Sequence, residues 1–269
     1  MVLRRKLVTF VTFVAAAILV AVGAVQPFSA NMVYSADSED SSSTERPLAV
    51  VASTTWTAAI ARAAGAVDVS VLAPAELRHP PEYDFKASDI AKVAGSALLV
   101  WAGYEPFVQR LIEAADVPAE RVVRIRTAND PANLIAQARL LAERLNTTEA
   151  EQEWEARFGE LVEQIEDNAR AKSLSGIRVL VNYHQQPFIS WLGYDVVGVF
   201  GPDELSPVKV AELASLKPDL VIDNYHTPLG QAIAEIAGCP RVELRNFPES
   251  ESDTIEKLLA DNAKKLGLL

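Results

Sequence analysis

From Asp130 to Lys172 the chain runs 43 residues with Gly159 as its only glycine and Pro131 as its only proline. A stretch so rich in Ala, Leu, Glu, Gln and Arg has no residue with which to turn, so it reads as helix. The apolar positions agree: Leu134, Ala138, Leu141 and Leu145, then Trp154, Phe158, Leu161 and Ile165, keep helical spacing. Asn146-Thr147-Thr148-Glu149 is the place for a kink or for the cap of a second helix, because threonine with glutamate close behind it satisfies free helix amides. A rod of this length inside one chain divides whatever lies before it from whatever lies after.

On both sides the pattern alternates between short β-branched runs and helical stretches, the mark of α/β architecture. Before the rod, Leu48 to Val51, Val67 to Leu72, Ala97 to Trp101 and Val122 to Ile125 read as strands. Thr57 to Ala64, Lys86 to Ala94 and Pro106 to Ala115 read as the helices between them. After it, Val179 to Asn182, Asp195 to Phe200, Leu220 to Asp223 and Arg241 to Leu244 read as strands. Pro207 to Leu216, Leu229 to Ala237 and Thr254 to Leu266 complete the alternation, so the second half repeats the first. The expected fold class is α/β, with two similar lobes, each holding a roughly four-stranded, mainly parallel sheet, joined by a long backbone helix. Residues 47–128 form the first lobe, 129–174 the link and 175–269 the second lobe, with a cleft between the lobes.

Residues 1–46 have a different character. Arg4, Arg5 and Lys6 precede 19 weakly polar or apolar residues, Leu7 to Val25. As helix these span about 28 Å, close to the hydrocarbon thickness of about 30 Å. This is an export signal or a membrane anchor, and the basic flank places everything downstream outside the cytoplasm. Bulky Phe28 and Tyr34 stand where cleavage after Ala30 or Ala36 prefers a small residue, which argues for a retained anchor. Ser-rich Ser35 to Glu45 is then a tether. Cys239 is the only cysteine, which excludes an internal disulfide, a CxxC knuckle and a lipid-bearing cysteine after the export segment. A net charge of −11 leaves no basic stripe for nucleic acid and favours cations instead.

The three histidines each follow a strand: His79 in Leu77-Arg78-His79-Pro80, His184 after Val181-Asn182-Tyr183, and His226 after Asp223-Asn224-Tyr225. Ligands of open α/β sheets bind at the carboxyl ends of strands, so the three imidazoles can meet in the cleft. Neutral imidazole suits zinc and other transition metals, whereas oxygen-only sites suit magnesium or calcium. Glu82 and Asp223 are nearby carboxylates for a fourth ligand or an orienting contact. The candidate metal set is therefore His79, His184, His226, Asp223 and Glu82. A lone histidine is more often a surface or core residue than a ligand; their shared placement argues otherwise.

Five segments in order add a family resemblance: Val50-Val51-Ala52-Ser53-Thr54, Pro81-Glu82-Tyr83-Asp84 through Ser88-Asp89-Ile90, Gly103-Tyr104-Glu105-Pro106-Phe107, Asn129-Asp130-Pro131, and Val196-Val197-Gly198-Val199 before Ser206-Pro207. Together they resemble the zinc and manganese solute-binding proteins of ABC importers, over nearly all of Leu48 to Leu269. The resemblance implies two lobes on a rigid backbone helix, a divalent metal, most readily zinc, held between them, an ABC permease as partner, a monomer, and no enzymatic activity. The family's third ligand matches His184. Its first histidine falls at Pro81, two places after His79; its second at Arg126; its late aspartate around Arg245 or Asn246. Either the site is rebuilt around His79, His184 and His226, or the ligand is larger, such as a metal chelate, with Arg126 and aromatic residues lining the cleft. A zinc-dependent hydrolase is the rival from another class, since three histidines and an open position also activate water.

Overall fold

The computed structural model describes residues 47–77 and 82–269. The expected anchor at Leu7 to Val25 and the histidine at 79 lie outside those residues. Among the described residues no helix is long and apolar enough to cross a membrane.

The first sheet consists of β1 (Val50–Ala52), β2 (Val69–Val71), β3 (Leu98–Trp101) and β4 (Val122–Arg124) in the order β2-β1-β3-β4. The second consists of β5 (Arg178–Asn182), β6 (Asp195–Phe200), β7 (Leu220–Asn224) and β8 (Arg241–Leu244) in the order β6-β5-β7-β8. Every pairing is parallel, and the two orders are the same topology used twice. Parallel strands buried on both faces need continuous rather than alternating apolar runs, which is how Val50-Val51-Ala52 and Val179-Leu180-Val181 read. Helices α1 (Thr55–Ala63), α2 (Ala87–Gly95) and α3 (Pro106–Ala114) accompany the first sheet. Helices α6 (Gln186–Leu192), α7 (Pro207–Ala214), α8 (Gln231–Ala237) and α9 (Ile255–Lys265) accompany the second.

Between them the helical stretch is two helices, α4 (Pro131–Leu145) and α5 (Thr148–Ala171). They part at Asn146, whose φ of 56° is the left-handed conformation that ends a helix. The Thr147 hydroxyl donates to the Ala64 carbonyl at 2.5 Å, tying the break to the end of α1. Gly65 has to be glycine there: its φ is 90°, and a Cβ would lie 2.9 Å from that of Ala150.

The interior crosses the lobe boundary. One buried apolar cluster includes Val50, Leu98 and Ile125 of the first lobe, Leu134 and Phe158 of α4 and α5, and Val179, Ile222 and Leu258 of the second. Two smaller clusters fill the outer side of each lobe, around Leu99, Phe107 and Leu111 and around Leu180, Phe200 and Leu213. Polar bonds reinforce the seam. Thr55 Oγ1 donates to Pro248 O at 3.0 Å, Trp56 Nε1 to Asn129 Oδ1 at 3.0 Å, and Asn129 Nδ2 to Asn246 O at 2.9 Å.

Candidate functional site

A cavity of about 1290 Å³ opens at the carboxyl ends of both sheets. The first lobe contributes Thr54, Ala102, Tyr104, Arg124 and Arg126, each at or just beyond a strand end. The second contributes Tyr183, His184, Asn224, His226 and Asn246. The start of α4 supplies Asp130 and Pro131 to the wall. A parallel sheet delivers all its strand ends to one edge, so two such sheets set edge to edge give one cavity with six or more loops around it.

Side-chain amides hold the second lobe's loops in register. Asn182 accepts the backbone N–H of His184 at 3.1 Å, which winds Tyr183–Gln185 into a single tight turn and brings His184 to the cavity. Gln185 is wholly buried, and its amide nitrogen donates to Asn224 Oδ1 at 3.2 Å and to the Leu244 carbonyl at 3.1 Å. Asn224 Nδ2 in turn donates to Thr227 Oγ1 at 2.8 Å. The loops after β5, β7 and β8 are therefore bonded to one another through side-chain amides, with Gln185 Oε1 the buried atom of this network that accepts no hydrogen bond among the described residues.

His226 is nearly buried, at 6% exposure. Its Nδ1 meets Asn246 Oδ1, and its ring stacks on Phe247 with centroids 3.5 Å apart. An amide oxygen can only accept, so this contact puts the proton on Nδ1 and the lone pair on Nε2, the tautomer required of a metal-binding imidazole. His184 is half-buried and lines the same cavity, edge-on to Tyr183. The loops after β7 and β8 meet where Asn246 contacts His226.

The nominated carboxylates lie elsewhere. Asp223 is fully buried and absent from the cavity wall. Its oxygens accept from the backbone N–H groups of Asn224, Leu229 and Gly230 at 2.8, 3.2 and 2.7 Å, and from Arg241 Nη1 at 2.7 Å. Instead of facing a metal, it anchors the loop that carries His226, and Gly230 is pressed so close that a Cβ there would lie 3.0 Å from Asp223 Oδ2. Glu82 is exposed and also absent from the wall. Among the described residues, no three His, Cys, Asp or Glu side chains are grouped to hold a metal by themselves. His184 and His226 share the cavity; His79 falls outside the described residues.

Tyr104 is one of the aromatic residues expected in the cleft wall; the shift of its phenol and the placement of Arg124 were not foreseen from sequence. Tyr104 is 55% exposed where it lines the cavity, yet surrounding protein desolvates its phenol and, with Glu105 beside it, raises its pKa to about 12; the Thr127 hydrogen bond opposes the shift. It is a neutral donor throughout the physiological range. Arg124 lies across Gly103, whose φ is 89°, so closely that a Cβ on Gly103 would sit 2.0 Å from the guanidinium Nε. The isolated Gly103 in Trp101-Ala102-Gly103-Tyr104 was the available signal, since glycine after a strand marks a close approach.

Comparison with known proteins supplies the remaining context. The profile of the family described as zinc-uptake complex component A, periplasmic, matches residues 50–217, well over half the chain. No curated protein matches. Among solved structures, the solute-binding protein FpvC of Pseudomonas aeruginosa, in complex with Ni2+, superposes with a TM-score of 0.65 at 17% identity, covering 82% of this chain and 96% of its own. The laminin-binding adhesin Lmb of Streptococcus agalactiae gives 0.64 at 14%, covering 81% and 98%. AdcAII of Streptococcus pneumoniae gives 0.62 at 14%, covering 81% and 99%. At these identities the likeness is one of fold.

Proposed function

The chain belongs to the periplasmic zinc-uptake complex component A family, metal-binding solute-binding proteins of ABC importers, and from that premise we propose that it captures zinc in the inter-lobe cavity and yields it to a permease. The observation that supports this most is that His184 and His226, from the ends of different strands, line one cavity, with Asn246 setting the tautomer of the second. In this reading His79 is the third ligand of the proposed site. Asp223, beneath the His226 loop, acts on the site through that loop rather than as a ligand. Function here is capture and release; the family's members are transport proteins, not enzymes, so the hydrolase reading is set aside. Leu7 to Val25 and the tether that follows hold the domain at the outer face of the membrane in this reading. Amino-terminal sequencing of protein extracted from membranes tests that, with a mature chain starting near Asn31 or Asp37 as the contrary result.

Calorimetric titration of the purified domain with zinc, manganese and nickel salts tests the cargo. Zinc is expected to bind one to one and more tightly than manganese, and His184→Ala and His226→Ala are each expected to lose at least tenfold in affinity. If His226→Ala binds zinc as tightly as the parent, His226 is an ordinary loop residue and the proposed ligand set is wrong. Binding to the folded state alone raises stability by about 2.7 kcal/mol at a hundredfold excess over Kd, so thermal shift gives a second readout.

A further inference from the structure

Resting on the metal-capture reading, we propose that the cargo enters this cavity as an anionic chelate, a divalent transition metal already held by a small polycarboxylate, rather than as a bare ion. Three observations converge on that class. The cavity, about 1290 Å³, exceeds the roughly 300–1,000 Å³ usual for small-molecule pockets and would hold about 40 waters, whereas a lone ion fills almost none of it. Its charged lining is Arg124, Arg126 and Asp130, and Asp130 already accepts the Asn133 N–H at 2.9 Å as the cap of α4. Two guanidiniums against one carboxylate leave the wall with a net positive charge inside a protein of net charge −11. A dication held by neutral imidazoles keeps its full charge, so the wall opposes the bare ion and favours a complex whose carboxylates outweigh the metal. The overall negative charge acts beyond a Debye length of about 8 Å only weakly, and the nearby guanidiniums decide the sign at the mouth.

The guanidiniums are also placed for carboxylates. Arg124 is laid down over Gly103. The backbone of Arg126 is pinned from both sides, its N–H donating to Gln137 Oε1 at 2.9 Å and its carbonyl accepting from Asn133 Nδ2 at 3.0 Å. Neither arginine forms an ion pair among the described residues, although eleven such pairs occur in them, including a buried one at Arg241. A planar fork with two parallel donors matches a carboxylate in a way that repels a metal ion.

Equilibrium dialysis of the full chain against radiolabelled citrate, with and without equimolar zinc, separates the cases. Stoichiometric retention of citrate that requires zinc, at an affinity at least tenfold above that for zinc in a non-coordinating buffer, is the expected result. In Arg124→Gln/Arg126→Gln the ratio of the two affinities should fall to about one, while Arg126→Lys, which keeps the charge without the fork, should lie between. If zinc alone binds as tightly as zinc citrate and no citrate is retained, the chelate inference is overturned and the metal-capture reading stands. If citrate is retained equally without zinc, the cavity is a plain anion site and the chelate inference is likewise overturned; if neither form of zinc binds, metal capture itself fails.

Discussion

Asn246 illustrates how a single residue tunes this site. Carboxylate, amide or carbonyl oxygens behind a metal-binding imidazole fix its orientation and raise its basicity, and losing one typically costs 10–100-fold in affinity. Asn246→Ala is therefore expected to weaken zinc binding at least about tenfold by titration calorimetry, and Asn246→Asp, which puts a full charge behind His226 Nδ1, to tighten it. Equal affinities in all three proteins would show that the contact does not support a metal site. Asp223 makes the complementary point. Removing one partner from a buried ion pair costs about 3–5 kcal/mol; Arg241 keeps Glu243 at 2.8 Å in Asp223→Ala, so the loss in denaturant unfolding should sit at the lower end of that range and come mainly from the N–H groups of Leu229 and Gly230 left without an acceptor. Both roles were hidden from sequence, because a carboxylate beside a histidine in the chain says nothing about which way either side chain points. Tyrosine titration checks the electrostatics independently. The phenols of Tyr83, desolvated and bonded to Asp89 at 2.8 Å, and Tyr104 are both raised to about 12. Unfolded tyrosine ionises near 10, so between about pH 10 and 12 the unfolded chain sheds protons first, and stability falls as pH rises through that window. Phenolate absorbance of the folded protein should show these two lagging the exposed phenols.

At the level of elements, glycines with positive φ decide what fits against what. Gly65→Ala combines a left-handed backbone with a Cβ 2.9 Å from Ala150, and is expected to cost about 2–4 kcal/mol by thermal unfolding, from the conformational penalty plus overpacking. Gly103→Ala should instead push Arg124 off its bed and be read in cargo affinity. The alternation of strands and helices was legible because eight short β-branched runs were punctuated by turns, and the observed Asp195–Phe200 and Arg241–Leu244 match the expected strands end for end. The break at Asn146–Thr147 was legible too, from its capping residues. Helix α6 was not: seven residues with a proline near the start are too few to show periodicity. Its Trp191 donates to Glu166 Oε1 at 2.8 Å, a bond to α5 that no local pattern announces.

For the molecule as a whole, the shared interior outweighs the division into lobes. Leu134 and Phe158 touch a cluster that takes members from both sheets, and the Trp56–Asn129–Asn246 bonds run from α1 to the edge of the cavity. Calorimetry should accordingly give one unfolding transition, since neither sheet can lose its packing alone; two resolved transitions would contradict that. The sequence shows two repeats and a rod between them, which suggests two bodies on an axle, but it does not show that their inward faces are packed on each other.

That common interior has a consequence for traffic. A receptacle whose halves share one interior has no jaw to shut, so filling it changes the chemistry of its mouth far more than its silhouette. Residence time is then set chiefly by the bonds to the cargo. A transporter receiving from it would tell full from empty by touch at the rim, where Tyr104 and Tyr183 stand more than half exposed, one from each lobe.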